Sequence, residues 1–306
     1  MKTDATVRIG VHEIAITRPD KILFPQDGIT KAELIRYYER IAPRMLPYLA
    51  GRPLVLQRFP DGIERPGFIQ KAAAPYYPEW IKKVTVKKMG GTVKHVVSDD
   101  VATLVYLANQ ACITLHTWLS RAPDTNCPDQ MVLDFDPSGD DDLDGVVGGA
   151  LALKNILDGL DLPSYVKTTG SRGVHVVVPI DGKQDFDAVR AFARRLAGIV
   201  VDRDTGRYTL EQHKNKRHGR VLIDLNRNGY AQTAVANYSV RARPGAPVSV
   251  PLQWDELRKK SFRPDAFTIR NIFDRLEKIE DPWKDFWRHA ASLEAAGQRL
   301  DNLSAA

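Results

Sequence analysis

Two aspartates spaced two apart in an apolar run are the first residues with chemical potential. They lie in Met131-Val132-Leu133-Asp134-Phe135-Asp136-Pro137. Side chains of a strand alternate between its faces, so Asp134 and Asp136 share one face and Leu133 and Phe135 the other. Carboxylates about 7 Å apart along a strand repel in a half-buried setting, and they become useful as hard oxygen ligands for divalent cations. A pair of this kind also occurs commonly at exposed strand ends. A third carboxylate, Asp224, ends the run Arg220-Val221-Leu222-Ile223-Asp224, with Arg227, Arg241 and Arg243 following. Three aspartates holding two divalent ions are usual equipment for phosphoryl or nucleotidyl transfer. The plainer alternative for Asp224 is an ion pair with Arg220 or Arg227.

A glycine loop offers the second chemistry. In Thr168-Thr169-Gly170-Ser171-Arg172-Gly173-Val174-His175, glycines allow successive backbone N–H groups to face an anion. Thr169 and Ser171 add hydroxyls, Arg172 adds charge, and His175 opens the next strand at the mouth of the loop. A plain hairpin with a structural histidine is the alternative. A calcium loop competes for the acidic run in two frames, one from Asp134 and one from Asp140. Both lack the closing glutamate, since Gly145 and Leu151 stand at the twelfth positions.

Charge is unevenly placed. The chain has 306 residues and net charge +6. Residues 1–100 carry +6, residues 101–150 carry −7, residues 151–250 carry +7, and the remainder is neutral. An acidic island between basic segments suits a cation bound beside a polyanion; a solvated acidic loop is the bland reading. The 2 cysteines, Cys112 and Cys127, exclude a disulfide framework and a cysteine-based zinc site. The first ten residues have no apolar core, so no signal peptide is expected. The longest stretch free of charged residues, Val101 to Ser120, contains Asn109, Gln110 and His116 and is too polar for a membrane span. A soluble cytoplasmic protein is expected, with no membrane partner.

The elements that must position these residues mix helix and strand. Thr30 and Glu33 form a capping box that opens a helix with Leu34, Ile35, Tyr38 and Ile41 on one face. Ser98 or Asp99 is expected to cap a helix carrying Leu104, Val105 and Leu107. Strands are expected around Val132–Asp136, Tyr165–Thr169, Val174–Val178 and Val221–Leu225, the middle two joined as a hairpin. Helices are expected at Gly149–Gly159 and Phe186–Val201. The C-terminal part, with Trp254, Phe267, Trp283 and Trp287, reads as helical with core aromatics.

These residues, taken in order, resemble the archaeo-eukaryotic primase superfamily, and most closely the polymerase domain of bacterial ATP-dependent DNA ligase D. The resemblance rests on Asp134-Phe135-Asp136, on Thr169 to His175 and on Ile223-Asp224. It extends through Arg18-Pro19-Asp20-Lys21, Phe24-Pro25, Thr30-Lys31, Ala50-Gly51-Arg52-Pro53, Phe68-Ile69-Gln70-Lys71 and Tyr238-Ser239-Val240-Arg241. It implies an α/β (α+β) fold: a primase-type catalytic core with antiparallel sheets flanked by helices. One domain is expected over 1–306, with a basic DNA-end-binding part (1–100), a catalytic core (101–250) and a C-terminal helical part (251–306).

The same resemblance implies roles. Asp134, Asp136 and Asp224 would hold two Mn2+ or Mg2+ ions, with His116 near metal and sugar. Thr169, Ser171, Arg172, His175 and Arg241, with Arg227 nearby, would bind an NTP or dNTP. Lys21 and Lys31 would take the 5′-phosphate of a downstream DNA strand. From the sequence alone, Lys31 falls at a capped helix start, where free N–H groups favour an anion. Phe68 would meet the template base. Thr169 and Arg172 stand where relatives often have Ser and Lys, and Ile69 where several carry a second aromatic.

The implied activity is nucleotidyl transfer to a DNA 3′-hydroxyl at gaps and broken ends in non-homologous end joining, with ribonucleotides preferred. Gapped or broken double-stranded DNA, nucleoside triphosphates, Ku and a ligase domain in this or another chain are the implied partners. The expected form is a monomer near the bacterial nucleoid. No Lys-x-Asp-Gly motif occurs, so no ligase activity is expected in this chain. Two rivals differ in kind: a primase that starts chains without a primer, and a non-catalytic DNA-end-binding module.

Overall fold

A computed structural model describes residues 5–139 and 142–305. Asp140, the start of one calcium-loop frame, lies outside them. The chain opens with a hairpin of β1 (Ala5–Ile9) and β2 (His12–Ile16), then a short pair, β3 (Ile22–Phe24) and β4 (Ile29–Thr30). The capping box at Thr30 and Glu33 is present and starts α1 (Lys31–Leu49). Further strands follow: β5 (Leu54–Arg58), β6 (Phe68–Gln70), and the hairpin β7 (Lys83–Lys88) with β8 (Gly91–Val96). Next, α2 (Val101–Asn109) is capped by Asp100, whose side chain accepts from the Thr103 amide. The cap is one residue later than expected from the Ser98-Asp99-Asp100 cluster.

The remaining strands are β9 (Cys112–Trp118), β10 (Gln130–Asp136), β11 (Tyr165–Thr168), β12 (Val174–Pro179), β13 (Tyr208–Thr209), β14 (Val221–Asp224), β15 (Thr233–Val235) and β16 (Pro251–Leu252). Two sheets organise them. A six-stranded sheet runs β13-β14-β10-β12-β11-β16, and a four-stranded sheet runs β15-β9-β5-β6. All pairings are antiparallel except β13 with β14. Two helices, α3 (Leu143–Gly159) and α4 (Phe186–Arg203), pack on the six-stranded sheet. Mixed helices with antiparallel sheets are thus the observed architecture.

The helix expected at Gly149–Gly159 begins earlier, at Leu143, with Asp142 accepting from the Gly145 amide. Gly145, Gly148 and Gly149 lower helix propensity and hid this first part. Gly149 has a packing reason: a Cβ there would lie 2.8 Å from the Phe135 ring. The helix can therefore settle on the strand that carries Asp134 and Asp136.

The C-terminal part departs from the expected helical segment. It contains short turns, the brief α5 (Ile272–Leu276) and α6 (Leu293–Ala305). Prolines at 264 and 282 interrupt any longer helix. Its aromatics do pack inward: Trp283 stacks on Phe286 at 4.9 Å, and both are buried. Among the described residues, no helix is long and apolar enough to cross a membrane.

Candidate active site

Strand register brings the chemistry together. Asp134 of β10 pairs with Asp224 of β14 on one side and His175 of β12 on the other. His175 in turn pairs with Lys167 of β11. A polar row, Asp224, Asp134, His175, Lys167, therefore crosses four adjacent strands. Leu133 and Phe135 face the opposite way and are fully buried. A cavity of about 110 Å³ opens over this row. Asp134, Asp136 and His175 line it, together with Thr169 and Ser171 from the loop. His116, Arg227 and Arg241 complete the lining.

Asp134 is nearly inaccessible. Its Oδ2 accepts from Arg227 Nη2 at 3.3 Å and lies 3.3 Å from His175 Nε2. Burial opposes ionisation, but these neighbours hold its carboxyl below the ordinary aspartate range. Its Oδ1 has no hydrogen-bond partner, nor does Nδ1 of His175. Asp136, two residues on, is pushed up to about 7, mainly by the Asp134 charge and then by burial. Burial lowers His116 to about 3, and the Arg241 and Arg227 charges add to the effect. His116 is therefore neutral at physiological pH.

An orphaned buried carboxylate oxygen beside a carboxylate that resists ionisation is a donor set that suits a divalent cation. Asp224 is set back from the cavity. Its Oδ1 accepts from the Asn226 amide at 2.9 Å. Among the described residues, no three His, Cys, Asp or Glu side chains converge as a ready-made ligand cluster. The expected triad is thus aligned in register rather than assembled. Arg227 pairs with Asp134, and the Asn226 amide engages Asp224.

The loop between β11 and β12 is shaped by its glycines. A Cβ on Gly173 would lie 2.1 Å from the Phe135 carbonyl oxygen, so only glycine lets the loop close over β10. Gly170 adopts φ +65°, and a Cβ there would meet Val248 backbone at 2.8 Å. The Thr169 hydroxyl donates to the Gly173 carbonyl at 3.0 Å. That hydroxyl closes the loop instead of standing open to a ligand. Ser171 Oγ accepts from Arg243 at 2.8 Å, and Arg241 donates to the Thr169 carbonyl at 2.8 Å. Arg172 lines a neighbouring cavity of about 310 Å³ with Ser171, Arg243 and Arg263.

The basic N-terminal residues form a separate site. Lys21 and Lys31 line a cavity of about 490 Å³ with Arg18 and Arg58. The turn folds back as expected: the Lys31 amide donates to the Lys21 carbonyl at 2.8 Å. That contact also corrects the helix-start argument. The Lys31, Ala32 and Glu33 amides already donate to Lys21 O, Pro19 O and Thr30 Oγ1, so the helix start has no free N–H groups here. Any anion affinity must come from side chains. Lys31 is buried, with Nζ donating to Thr17 Oγ1 and Asn109 O. Lys21 pairs with Asp61 at 2.6 Å. Phe68, on edge strand β6, is exposed, and the Arg58 guanidinium lies 5.3 Å from its ring.

Sequence reasoning missed Lys167. Its ammonium is buried and donates to Val235 O and Asn237 Oδ1, both at 2.7 Å. Burial lowers its pKa well below the usual lysine range, and Arg241 adds to the effect. The hairpin itself carried the signal, because closing the loop at Thr169 and Gly173 puts Lys167 opposite His175.

The fold matches that of a polymerase domain. The domain from Mycobacterium tuberculosis ligase D, solved in complex with DNA, superposes with a TM-score of 0.85 at 27% identity, covering 90% of this chain and 99% of that one. The family model for the LigD primase-polymerase domain matches residues 30–283, and the chain belongs to that family. Its relatives include the multifunctional non-homologous end joining protein LigD of Mycolicibacterium smegmatis, 31% identical over 272 residues. They also include the bifunctional LigD of Bacillus subtilis, 29% identical over 281 residues. The matches cover 88% and 91% of this chain but only 35% and 45% of those proteins.

Proposed function

We propose that this domain adds nucleotides, ribonucleotides by preference, to a DNA 3′-hydroxyl at gaps and broken ends during non-homologous end joining. The observation that carries the reading is one cavity containing Asp134, Asp136, His116, His175, Arg227 and Arg241. Carboxylates suit a divalent cation and the neighbouring cations suit phosphate oxygens, so the one cavity offers groups for both parts of a metal-bound triphosphate. Asp134 and Asp136, with Asp224 one strand away, would hold Mn2+ or Mg2+. When bound, such ions activate the attacking hydroxyl and stabilise the leaving oxygen.

The chain's own groups have separable roles. His175, Ser171, Arg172 and Arg241 bind the triphosphate, with the Thr169 hydroxyl shaping their loop. Arg227 neutralises Asp134 and is near enough to turn toward a phosphate. His116, held neutral, donates or accepts a hydrogen bond at the nucleotide sugar without adding charge. Lys21 and Lys31 take a downstream 5′-phosphate, and Phe68 meets the template base. Ku and a ligase, in this or another chain, are the proposed partners of the break repair; this chain itself joins no strands.

The test is incubation with a primed gapped duplex, manganese and labelled ribonucleotide. We expect extension by wild type, and no extension but retained DNA binding by Asp134→Ala and Asp136→Ala. Extension by either variant at near wild-type rate overturns the assignment. Synthesis from unprimed single-stranded template would favour a primase. Binding without any incorporation would favour a DNA-end module.

A further inference from the structure

An exposed tyrosine is held rigidly at the large basic cavity, and neither the core nor the nucleotide site accounts for it. Tyr76 is 62% exposed. Its hydroxyl accepts from Arg58 Nη1 at 3.1 Å. Its ring edge rests on buried Tyr77 at 5.3 Å and 75°, and Tyr77 rests in the same way on Tyr106. Arg58 is itself fixed, donating to Gln70 Oε1 at 2.8 Å and to the Gln110 carbonyl at 2.9 Å. The same guanidinium lies over Phe68. An aromatic pinned at its hydroxyl and its edge keeps a face open to solvent. Tyr76 lines the cavity that also contains Arg18, Lys21 and Lys31.

A basic cavity with a fixed aromatic face is the chemistry of a nucleotide: phosphate on the cations, base on the ring. We propose that Tyr76 stacks on the nucleobase of the terminal nucleotide whose 5′-phosphate enters this cavity. The proposal rests on the DNA-end reading above and adds a base-binding element to it. Arg58 then links two aromatic contacts, Phe68 toward the template and Tyr76 toward the downstream strand. Stacking is tolerant of sequence, because every base presents a π face. The contact therefore suits breaks of any sequence.

The experiment uses the full chain and gapped duplexes whose downstream strand begins with an intact nucleotide or an abasic one, each with a 5′-phosphate or a 5′-hydroxyl. Wild type should bind the intact phosphorylated DNA about ten-fold tighter than the abasic one, a difference of about 1.4 kcal/mol. Tyr76→Ala should lose that factor on intact DNA and nothing further on abasic DNA. Tyr76→Phe should stay within about two-fold of wild type, since the ring face remains. With 5-iodouracil at the downstream 5′ position, irradiation should crosslink Tyr76. Equal loss on intact and abasic DNA, or a crosslink at another residue, overturns the stacking while the phosphate preference stands. Equal wild-type affinity for phosphorylated and hydroxylated DNA overturns the DNA-end reading and this proposal with it.

Discussion

Replacing Asp136 with Asn should stabilise the protein, increasingly so as pH rises. Asp136 stands beside the Asp134 charge in a partly buried strand end and titrates at about 7, whereas an aspartate in an unfolded chain titrates near 3.9. The folded protein therefore holds this proton more tightly than the unfolded chain. The stabilisation that results is complete below about pH 4 and is lost as pH rises through about 7. Asn keeps the shape and removes the titration. A shift of roughly three units corresponds to a ceiling of about 4 kcal/mol. Arg227 relieves part of the repulsion and water screens more, so about 1–2 kcal/mol is expected. In a chain of this size each kcal/mol moves the melting midpoint by about 2 °C. In chelator, Asp136→Asn should melt with wild type at about pH 4 and roughly 2–4 °C above it at about pH 8. Adding Mn2+ or Mg2+ at the higher pH should raise wild type and barely move the variant, closing the gap. Scanning fluorimetry across a pH series reads this directly. A gap independent of pH, or a variant melting below wild type in alkaline chelator, refutes the repulsion argument.

Three further outcomes are expected. Gly173→Ala forces a Cβ against the Phe135 carbonyl and should cost about 3 kcal/mol or more in urea unfolding; a loss under about 1 kcal/mol would mean the loop relaxes freely. Thr30→Ala removes one half of the capping box and should cost about 1 kcal/mol, read as a lower denaturant midpoint at unchanged slope. DNA affinity should fall log-linearly with salt, because the basic segments release counterions from phosphates, and Lys21→Ala with Lys31→Ala should reduce that slope by about 2; a flat titration would contradict phosphate binding at the basic cavity.

The local signals that could be read from sequence were those with a short-range physical cause. The capping box at Thr30 needs only Glu33, and the hairpin at 170–173 needs only its glycines. The face shared by Asp134 and Asp136 follows from strand alternation. What sequence left out depended on register between distant strands. Nothing near Asp224 says that it pairs with Asp134, and nothing near Lys167 says that its ammonium crosses to Val235 and Asn237. The amides that start the Lys31 helix donate to the preceding turn and to the Thr30 hydroxyl, which the capping signal alone does not reveal. Arg58 and Tyr76 carry no motif, and they stand out only once the chain folds Gln70 and Gln110 around the same guanidinium.

Long-range hydrogen bonds let the chain tolerate much unfavourable chemistry in one cavity. A buried ammonium, an orphaned carboxylate oxygen and two adjacent aspartates would each favour local rearrangement. The chain from the end of β15 up to β16 resists it by binding both sheets. Lys167 of the six-stranded sheet donates to Val235, which pairs with His116 of the four-stranded sheet. Ser249 donates to the Thr168 carbonyl, while Ser239 accepts from the Leu115 amide. Tyr38 of α1 donates to the Ile113 carbonyl and accepts from the Val240 amide. Asp134 and Asp136 sit two residues apart on β10, which is paired with β12 on one side and β14 on the other, so they cannot separate without distorting the middle of the six-stranded sheet. Repulsion stored this way persists because its surroundings over-determine it, and a cation entering the cavity would relieve it.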